Sequence, residues 1–158
     1  MYELLSKFSP KITTSSNQQL MLQWNQKQCG MNLNFNTDCT TVFLKEEPYI
    51  FRSSISTQGF HGGKHYWEIH ADNRTENELK IGVSSNPVFD FNTAFCDHKF
   101  GFAFYGLGQL RHGSNATGPQ YGKRFKKTGI LGVYLNMDKG TLSFSLNGED
   151  LGVAYADQ

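Results

Sequence analysis

Near the C-terminus, apolar residues alternate with polar or small ones along two consecutive segments. The apolar positions are Leu131, Val133, Leu135 and Met137 in the first segment, and Leu142, Phe144 and Leu146 in the second. Successive side chains of a strand point to opposite faces, so each segment predicts a strand with one buried face. Asn147-Gly148 follows, and it is a strong hairpin signal because both residues tolerate positive φ. This stretch therefore predicts antiparallel ribbons that share an apolar interior.

Similar alternation predicts more short strands upstream. They fall at Leu20–Trp24, Thr41–Lys45, Tyr49–Ser53, Lys64–Ala71, Leu79–Val83, Phe100–Tyr105, Leu110–His112 and Gly152–Tyr155. In Phe100–Tyr105 the phenylalanines alternate with Gly101 and Ala103, and these small residues predict a strand that lies close under another sheet. Short strands with frequent turn signals and almost no helical period indicate an all-β sandwich or barrel. Residues 1–19 show no period and are expected to be an N-terminal extension or linker, so the sandwich would occupy residues 20–158.

Composition narrows the class of protein. The 158 residues suffice for one domain with a substantial core, and 13 of them are phenylalanine. A net charge of +1 gives no overall field that would attract nucleic acid or an acidic membrane. The three cysteines are odd in number and share no CxxC spacing, so free thiols in a reducing, cytoplasmic compartment are expected. No apolar run could span a bilayer, and Met1–Pro10 holds no apolar core of signal-peptide length.

The residues that could carry chemistry form no catalytic constellation. Cys96-Asp97-His98 suggests thiol chemistry, but working thiolate–imidazole pairs normally come from separate segments. His65 and His70 would face opposite ways on a strand, so they could not hold one metal ion together. The basic cluster Lys123–Lys127 is short and lies in a nearly neutral chain, so nucleic-acid binding is not expected. We therefore expect a binding module that is not an enzyme and needs neither cofactor nor metal.

Five segments, in order, resemble the SPRY domain. They are Gly63–Ile69 with its Tyr-Trp-Glu strand, Leu79–Val83, Phe100–Phe102, Gly118–Gly122, and the late hairpin Ile130–Tyr155. Upstream, Trp24-Asn25 and Val42–Glu47 most resemble the SPRY domains joined to SOCS boxes, with F-box-linked members as near relatives. The resemblance implies a bent, two-sheet antiparallel β-sandwich. It also implies a protein-interaction module that captures a substrate for a ubiquitin ligase. A scaffolding domain permanently built into a large assembly is the alternative.

The resemblance implies that loops at one end of the sandwich bind a protein or peptide partner. The candidate partner-binding residues are Arg52, Lys80, Phe89, Phe91, Tyr105, Arg111 and His112. Ungapped alignment puts Ser53, not Arg52, at the family's arginine position, and Ala103 replaces a large aromatic. The family usually continues beyond the Gly-Val-Ala-Tyr strand into one or two more strands. We therefore expect this chain to be part of a longer protein, or another segment to complete the sandwich and cover its exposed edge.

Overall fold

The computed structural model describes residues 6–9, 22–44, 50–71, 78–125 and 128–157. Within these residues the strands are β1 (Ser6–Ser9), β2 (Trp24–Cys29), β3 (Leu33–Phe35), β4 (Thr41–Leu44), β5 (Ser54–Ser56), β6 (Lys64–Ala71), β7 (Lys80–Ser84), β8 (Gly101–Tyr105), β9 (Gln109–His112), β10 (Gly129–Asn136), β11 (Thr141–Leu146) and β12 (Glu149–Ala156). A 3-10 helix spans Phe95–Asp97. The all-β architecture is as the alternation predicts.

The strands form two layers. The larger is a seven-stranded sheet in the order β12-β11-β10-β6-β1-β4-β3. Opposite it lie a three-stranded sheet, β7-β8-β9, and a two-stranded sheet, β2-β5. All pairings between these strands are antiparallel. The result is the predicted antiparallel β-sandwich.

The core fills the space between the layers. Val133 and Phe144 of the large sheet are fully buried, and Phe104 of the three-stranded sheet packs on Phe144 with ring centroids 5.8 Å apart. Alternation places these side chains on inward faces, because every second residue of a strand faces the same side. Apolar burial of this kind is the dominant stabilising term in folding. Met137, predicted to face inward with them, is instead exposed in the turn after β10.

Strand boundaries match the predictions closely in the second half of the chain. β6 spans Lys64–Ala71 as predicted. Asn147 and Gly148 both have positive φ, 52° and 83°, which confirms the hairpin turn between β11 and β12. The predicted strand at Tyr49–Ser53 is wrong over its described residues 50–53, because the Ser53 amide and carbonyl bond to the loop residues Phe91 and Gly30. β5 begins only after them.

The segment predicted as an extension contains a strand. β1 lies between β4 and β6 inside the seven-stranded sheet, with Ser6 opposite Val42 and Ala71. β1 holds a single apolar residue, Phe8, so it displays no alternation from which pattern analysis could detect the strand. The rest of residues 1–19 lies outside the described part of the chain, as do Leu20 and residues 45–49.

Tyr155 of β12 ties the two layers together. Its hydroxyl lies 2.9 Å from the carbonyl oxygens of both Ala103 and Arg111, on strands β8 and β9 of the opposite layer. Burial raises the pKa of Tyr155 to about 12, because an ionised phenolate would lose its solvation there. The neutral hydroxyl is therefore the form that joins the layers.

This raised pKa predicts a specific alkaline loss of stability. An unfolded tyrosine ionises at pH ~10, so the contribution of Tyr155 is complete below that pH and is lost as the pH rises through about 12. We expect chemical denaturation to show a steeper fall in unfolding free energy over this window for the native chain than for Tyr155→Phe. Tyr134→Phe, at an exposed tyrosine, serves as the control and should keep the native slope. Equal slopes for all three proteins would contradict the assignment.

Candidate functional site

The strand register divides the predicted site residues between two faces of the three-stranded sheet. Lys80 lies opposite Tyr105, and Arg111 lies opposite Ala103, on the face turned away from the core. Directly opposed residues share a face of the sheet, so Lys80, Ala103, Tyr105 and Arg111 form one surface, here called the outer face. Tyr105 thus lies opposite the Phe102 and Phe104 side, as alternation predicts.

Two cations and two aromatic rings interlock on the outer face. The Lys80 ammonium lies 3.8 Å from the centroid of the Phe51 ring and 5.2 Å from that of Tyr105. The Arg111 guanidinium carbon lies 4.8 Å from the Tyr105 centroid. These distances are those of cation–π contacts, which strengthen where water is excluded. Burial, followed by the nearby Glu78 carboxylate, raises the pKa of the Tyr105 hydroxyl.

The three candidate residues on the outer face are not surface groups. Tyr105 is 6% exposed, Arg111 is 9% exposed, and the Lys80 side chain is 8% exposed. Asp97, whose carboxylate oxygen Oδ1 lies 3.6 Å from the Lys80 ammonium, keeps 28% of its side chain exposed. The structure brings the predicted residues Lys80, Tyr105 and Arg111 together. It places them beneath a covering segment rather than at an open cleft.

The covering is the segment Ala94–Asp97, which contains the 3-10 helix. Cys96 and Ala94 pack on Ala103, and Phe51 packs against the same cluster. A Cβ added to Gly101 would lie 2.3 Å from the Phe95 carbonyl oxygen and 2.7 Å from the Cys96 Cα, so only glycine permits this approach. The expectation that the small residues of β8 lie under another sheet is therefore wrong. They lie under this loop segment, while the phenylalanine side meets the opposite sheet.

Cys96 is poorly placed for thiol chemistry. The side chain is fully buried, and burial raises the pKa of its thiol to about 11. His98 directs its Nε2 to the Thr93 hydroxyl at 2.9 Å. A thiolate nucleophile needs a lowered pKa and an accessible sulfur, so this segment does not supply one.

A second group of predicted residues lies on three loops that bond to one another. Gly30 N donates to Ser53 O at 2.9 Å, Ser53 N donates to Phe91 O at 2.8 Å, and Met31 N donates to the Asn92 side-chain oxygen at 2.9 Å. The Arg52 Nη1 donates to the carbonyl oxygens of Phe51 and Asn92. We call the surface formed by residues 30–32, 50–53 and 88–93 the loop surface. Its hydrogen bonds hold the three loops in one arrangement.

Phe89 and Phe91 shape the loop surface. Their ring centroids lie 4.4 Å apart, and Phe89 also approaches the His98 ring at 5.6 Å. Both phenylalanines are half-buried, so each ring contributes to packing and to the surface. The structure therefore brings Arg52, Phe89 and Phe91 together next to the outer face, because Phe51 precedes Arg52 and contacts Lys80.

Sequence reasoning missed the most exposed apolar residues of the loop surface. Val88 is 74% exposed and Met31 is 62% exposed, while Ile50 is also exposed. The positive φ of Asn32, 62°, places Met31 at a tight turn, and Val88 follows the turn residues Asn86 and Pro87. The clue in the sequence was an apolar residue within a predicted turn, because apolar side chains are usually buried and turns are usually exposed.

His112 lies apart from the other candidates. Its ring stacks on Phe102 at 4.0 Å, on the core-facing side of the three-stranded sheet, and its Nδ1 is 2.8 Å from the Gly101 carbonyl oxygen. It lines a cavity of about 420 Å³ between β9, the loop that follows it, and Tyr155. The structure thus separates His112 from Lys80 and Tyr105 by the thickness of a sheet.

The described parts of the remaining motifs have structural partners, and Lys126 and Lys127 of the basic cluster lie outside the described residues. Phe125, the aromatic of the basic cluster, is buried in the core, and Lys123 pairs with Glu149 at 2.7 Å. His65 stacks on Phe60 with ring centroids 3.9 Å apart. Across the described residues, no group of three or more His, Cys, Asp or Glu side chains is placed to hold a metal ion. Nor does that part of the chain contain a helix of the length and apolarity needed to cross a membrane.

Comparisons with known proteins place this geometry in a family. Residues 64–158 match the family model described as the SPRY domain. The ATP-dependent RNA helicase DDX1 of Xenopus laevis is 35% identical over 101 residues, which cover 63% of this chain and 13% of the helicase. Protein ssh4 of Sclerotinia sclerotiorum is 32% identical over 88 residues, which cover 55% of this chain and 17% of that protein. The chain thus corresponds to a small part of these relatives.

Solved structures show the same fold. A stonustoxin structure superposes with a TM-score of 0.64 at 20% identity, covering 87% of this chain and 23% of the toxin chain. The SPRY domain of human HERC1 superposes with a TM-score of 0.55 at 19% identity, covering 95% of this chain and 81% of that domain. SPRY domains typically mediate protein–protein interaction without catalysis. This chain belongs to the SPRY domain family.

Proposed function

We propose that the chain binds a protein partner through the loop surface. The observation that carries this proposal is the exposure of Val88 and Met31, 74% and 62%, on loops fixed by hydrogen bonds to one another. Exposed apolar side chains that cluster on a soluble domain mark interaction sites. Preformed loops lower the entropic cost of binding, because less of the surface must be ordered when the partner arrives.

The candidate residues then take different roles. Arg52 braces the loop surface through its bonds to main-chain carbonyls, and Phe89 and Phe91 give it shape. Lys80, Tyr105 and Arg111 lie beneath Ala94–Asp97 and support the loops from below. His112 lines a separate cavity and is not assigned to this surface.

The partner we favour is an intracellular substrate that the SPRY domain delivers to a ubiquitin ligase. This finer proposal is supported by the resemblance of Trp24-Asn25 and Val42–Glu47 to SPRY domains joined to SOCS boxes. The second candidate is a scaffolding module built permanently into a larger protein. It is favoured by the relatives, since the chain covers only 13% of the helicase and 17% of protein ssh4. A SOCS or F-box in the full gene product would support the first, and coiled coils or repeats would support the second.

Introducing negative charges on the loop surface tests what both proposals share, which is the binding of a protein partner by that surface. We expect Met31→Glu with Val88→Glu to reduce partner capture at least about tenfold, because carboxylates would be desolvated against an apolar contact. The measurement is proximity labelling in cells with the intact gene product, quantified by mass spectrometry. Both side chains are exposed, so the melting temperature should stay close to the native value.

Val153→Glu is the matched control for this experiment. Val153 is 60% exposed but lies on β12, away from the loop surface. It should leave the labelled partners unchanged. A double variant that keeps its fold and labels the same partners as native protein would overturn the proposal.

A further inference from the structure

We propose that the Asp97 carboxylate occupies the position that a carboxylate of the partner takes when the partner binds. On this view a protein segment presenting an Asp or Glu side chain displaces Asp97 from Lys80 as it binds. This inference rests on the proposed function and names the partner chemistry for the edge of that same surface. It requires only that the Asp97 side chain turn outward.

Geometry identifies Lys80 as the anion-binding group. Its ammonium is held against Phe51 at 3.8 Å and Tyr105 at 5.2 Å, and its side chain is 8% exposed. A buried ammonium is stable only with a compensating partner, and Asp97 supplies a carboxylate at 3.6 Å. Arg111 adds a second cation on the other side of Tyr105, at 4.8 Å from its ring. Lys80 and Arg111 lower the pKa of the buried Cys96 thiol and Asp97 raises it, so all three charges lie in one neighbourhood around that sulfur.

The internal pairing is incomplete, and this makes it exchangeable. Within the described residues, Asp97 Oδ1 and Arg111 Nε are buried atoms without a hydrogen-bond partner. The separation of 3.6 Å between the Lys80 ammonium and Asp97 Oδ1 is that of an ion pair, longer than a charge-assisted hydrogen bond. Buried polar atoms left unsatisfied are costly, so a carboxylate ligand that accepts a hydrogen bond from Arg111 Nε gains free energy that Asp97 does not.

The route from Lys80 to solvent runs along the Asp97 side chain, whose Oδ1 is buried and must move before a ligand can enter. The Asp97 side chain is 28% exposed, whereas Cys96 beside it is completely buried. The loop surface borders this route, because Phe51 joins Lys80 to Arg52 and His98 lies 5.6 Å from Phe89. A partner seated on Met31 and Val88 could therefore extend an acidic side chain toward Lys80. The bound segment would combine an apolar contact with one carboxylate.

Lysine labelling tests the exchange without a natural partner. We expect acetylation of Lys80 by a small acylating reagent, followed by mass spectrometry, to be roughly tenfold faster in Asp97→Ala and Asp97→Asn than in native protein. A short acetylated, amidated peptide containing glutamate should slow it again, and the same peptide with glutamine should not. Protection by inorganic phosphate as strong as by the glutamate peptide would contradict a site for a partner carboxylate.

Two controls distinguish the exchange of carboxylates from local unfolding. Glu149→Gln breaks an exposed ion pair with Lys123 and should leave Lys80 labelling unchanged. Labelling of Cys96 by a thiol reagent reports opening of the whole Ala94–Asp97 segment, since that sulfur is fully buried. Lys80 and Cys96 rates that rise in parallel would mean local unfolding, and they would overturn the exchange of carboxylates.

Peptide selection tests the partner chemistry. A random peptide library displayed on phage and selected on native protein should yield peptides with Asp or Glu at a fixed position. Those peptides should bind Asp97→Asn more tightly, by about tenfold, and lose binding to Lys80→Met, which keeps an apolar chain against Phe51. Selected peptides that need Met31 and Val88 but ignore Asp97 and Lys80 would leave the proposed function standing and refute this inference.

Discussion

Phe104→Ala is expected to lower the free energy of unfolding by about 4 kcal/mol. Phe104 is 1% exposed, and its ring meets Phe144 at 5.8 Å and Tyr121 at 6.0 Å, between the two layers. Truncation leaves a cavity there because the rings around it are held by both sheets and cannot collapse fully. For a domain of this size, we expect the melting temperature to fall by about 10 °C.

Thermal and chemical denaturation check this prediction, with Val153→Ala as the control. Val153 is exposed on the edge strand β12, so its truncation should change stability by less than about 0.5 kcal/mol. A Phe104→Ala protein as stable as this control would mean that the layers do not meet at Phe104. Phe104→Ala is expected to weaken partner binding only indirectly, because a larger fraction of the protein is unfolded.

Gly101→Val is expected to displace the segment that covers the outer face. The added Cβ would lie 2.3 Å from the Phe95 carbonyl oxygen and 2.7 Å from the Cys96 Cα. Both are main-chain atoms, so a side-chain rotation cannot relieve the overlap. We expect a loss of about 3 kcal/mol in unfolding free energy, typical of overpacking at its upper range.

The same substitution should expose Cys96. In a Cys29→Ser, Cys39→Ser background, Cys96 of the native chain should react slowly with a thiol reagent at neutral pH. Burial and a pKa of about 11 keep the thiol covered and protonated. Gly101→Val should raise its rate by at least about tenfold. Gly59→Val is the control, because a Cβ at Gly59 meets nothing within 4 Å. Slow labelling of Cys96 in a folded Gly101→Val protein would show that the segment does not rest on Gly101.

Much of the fold can be predicted because the large sheet has one buried and one solvated face. Period-two alternation then reports strand position directly, as in β6 and in the β10–β11 hairpin. The Asn147-Gly148 turn is equally predictable, since its backbone conformation selects those residue types. These signals are local, and tertiary contacts do not override them.

Prediction from sequence ends where loops decide the structure. Residues 50–53 alternate like a strand, yet the Ser53 hydroxyl donates to Thr93 O at 2.7 Å and accepts from Phe95 N at 2.9 Å. These bonds join segments forty residues apart, and no local pattern encodes them. The covering of Lys80 by Asp97 has the same character. The residues of this contact can be identified from the sequence, but their burial cannot be predicted from it.

The order of strands in the large sheet has a consequence for synthesis of the chain. β6, with buried Trp67 and Ile69, pairs with β10 on one side and with β1 on the other. β6 leaves the ribosome well before β10 is synthesised. Until then its apolar face stays uncovered, and the main-chain N–H and C=O groups along one of its edges stay unpaired. Distant pairings of this type slow folding and expose nascent strands to aggregation. Expression at reduced temperature or with added chaperones should accordingly raise the yield of native protein.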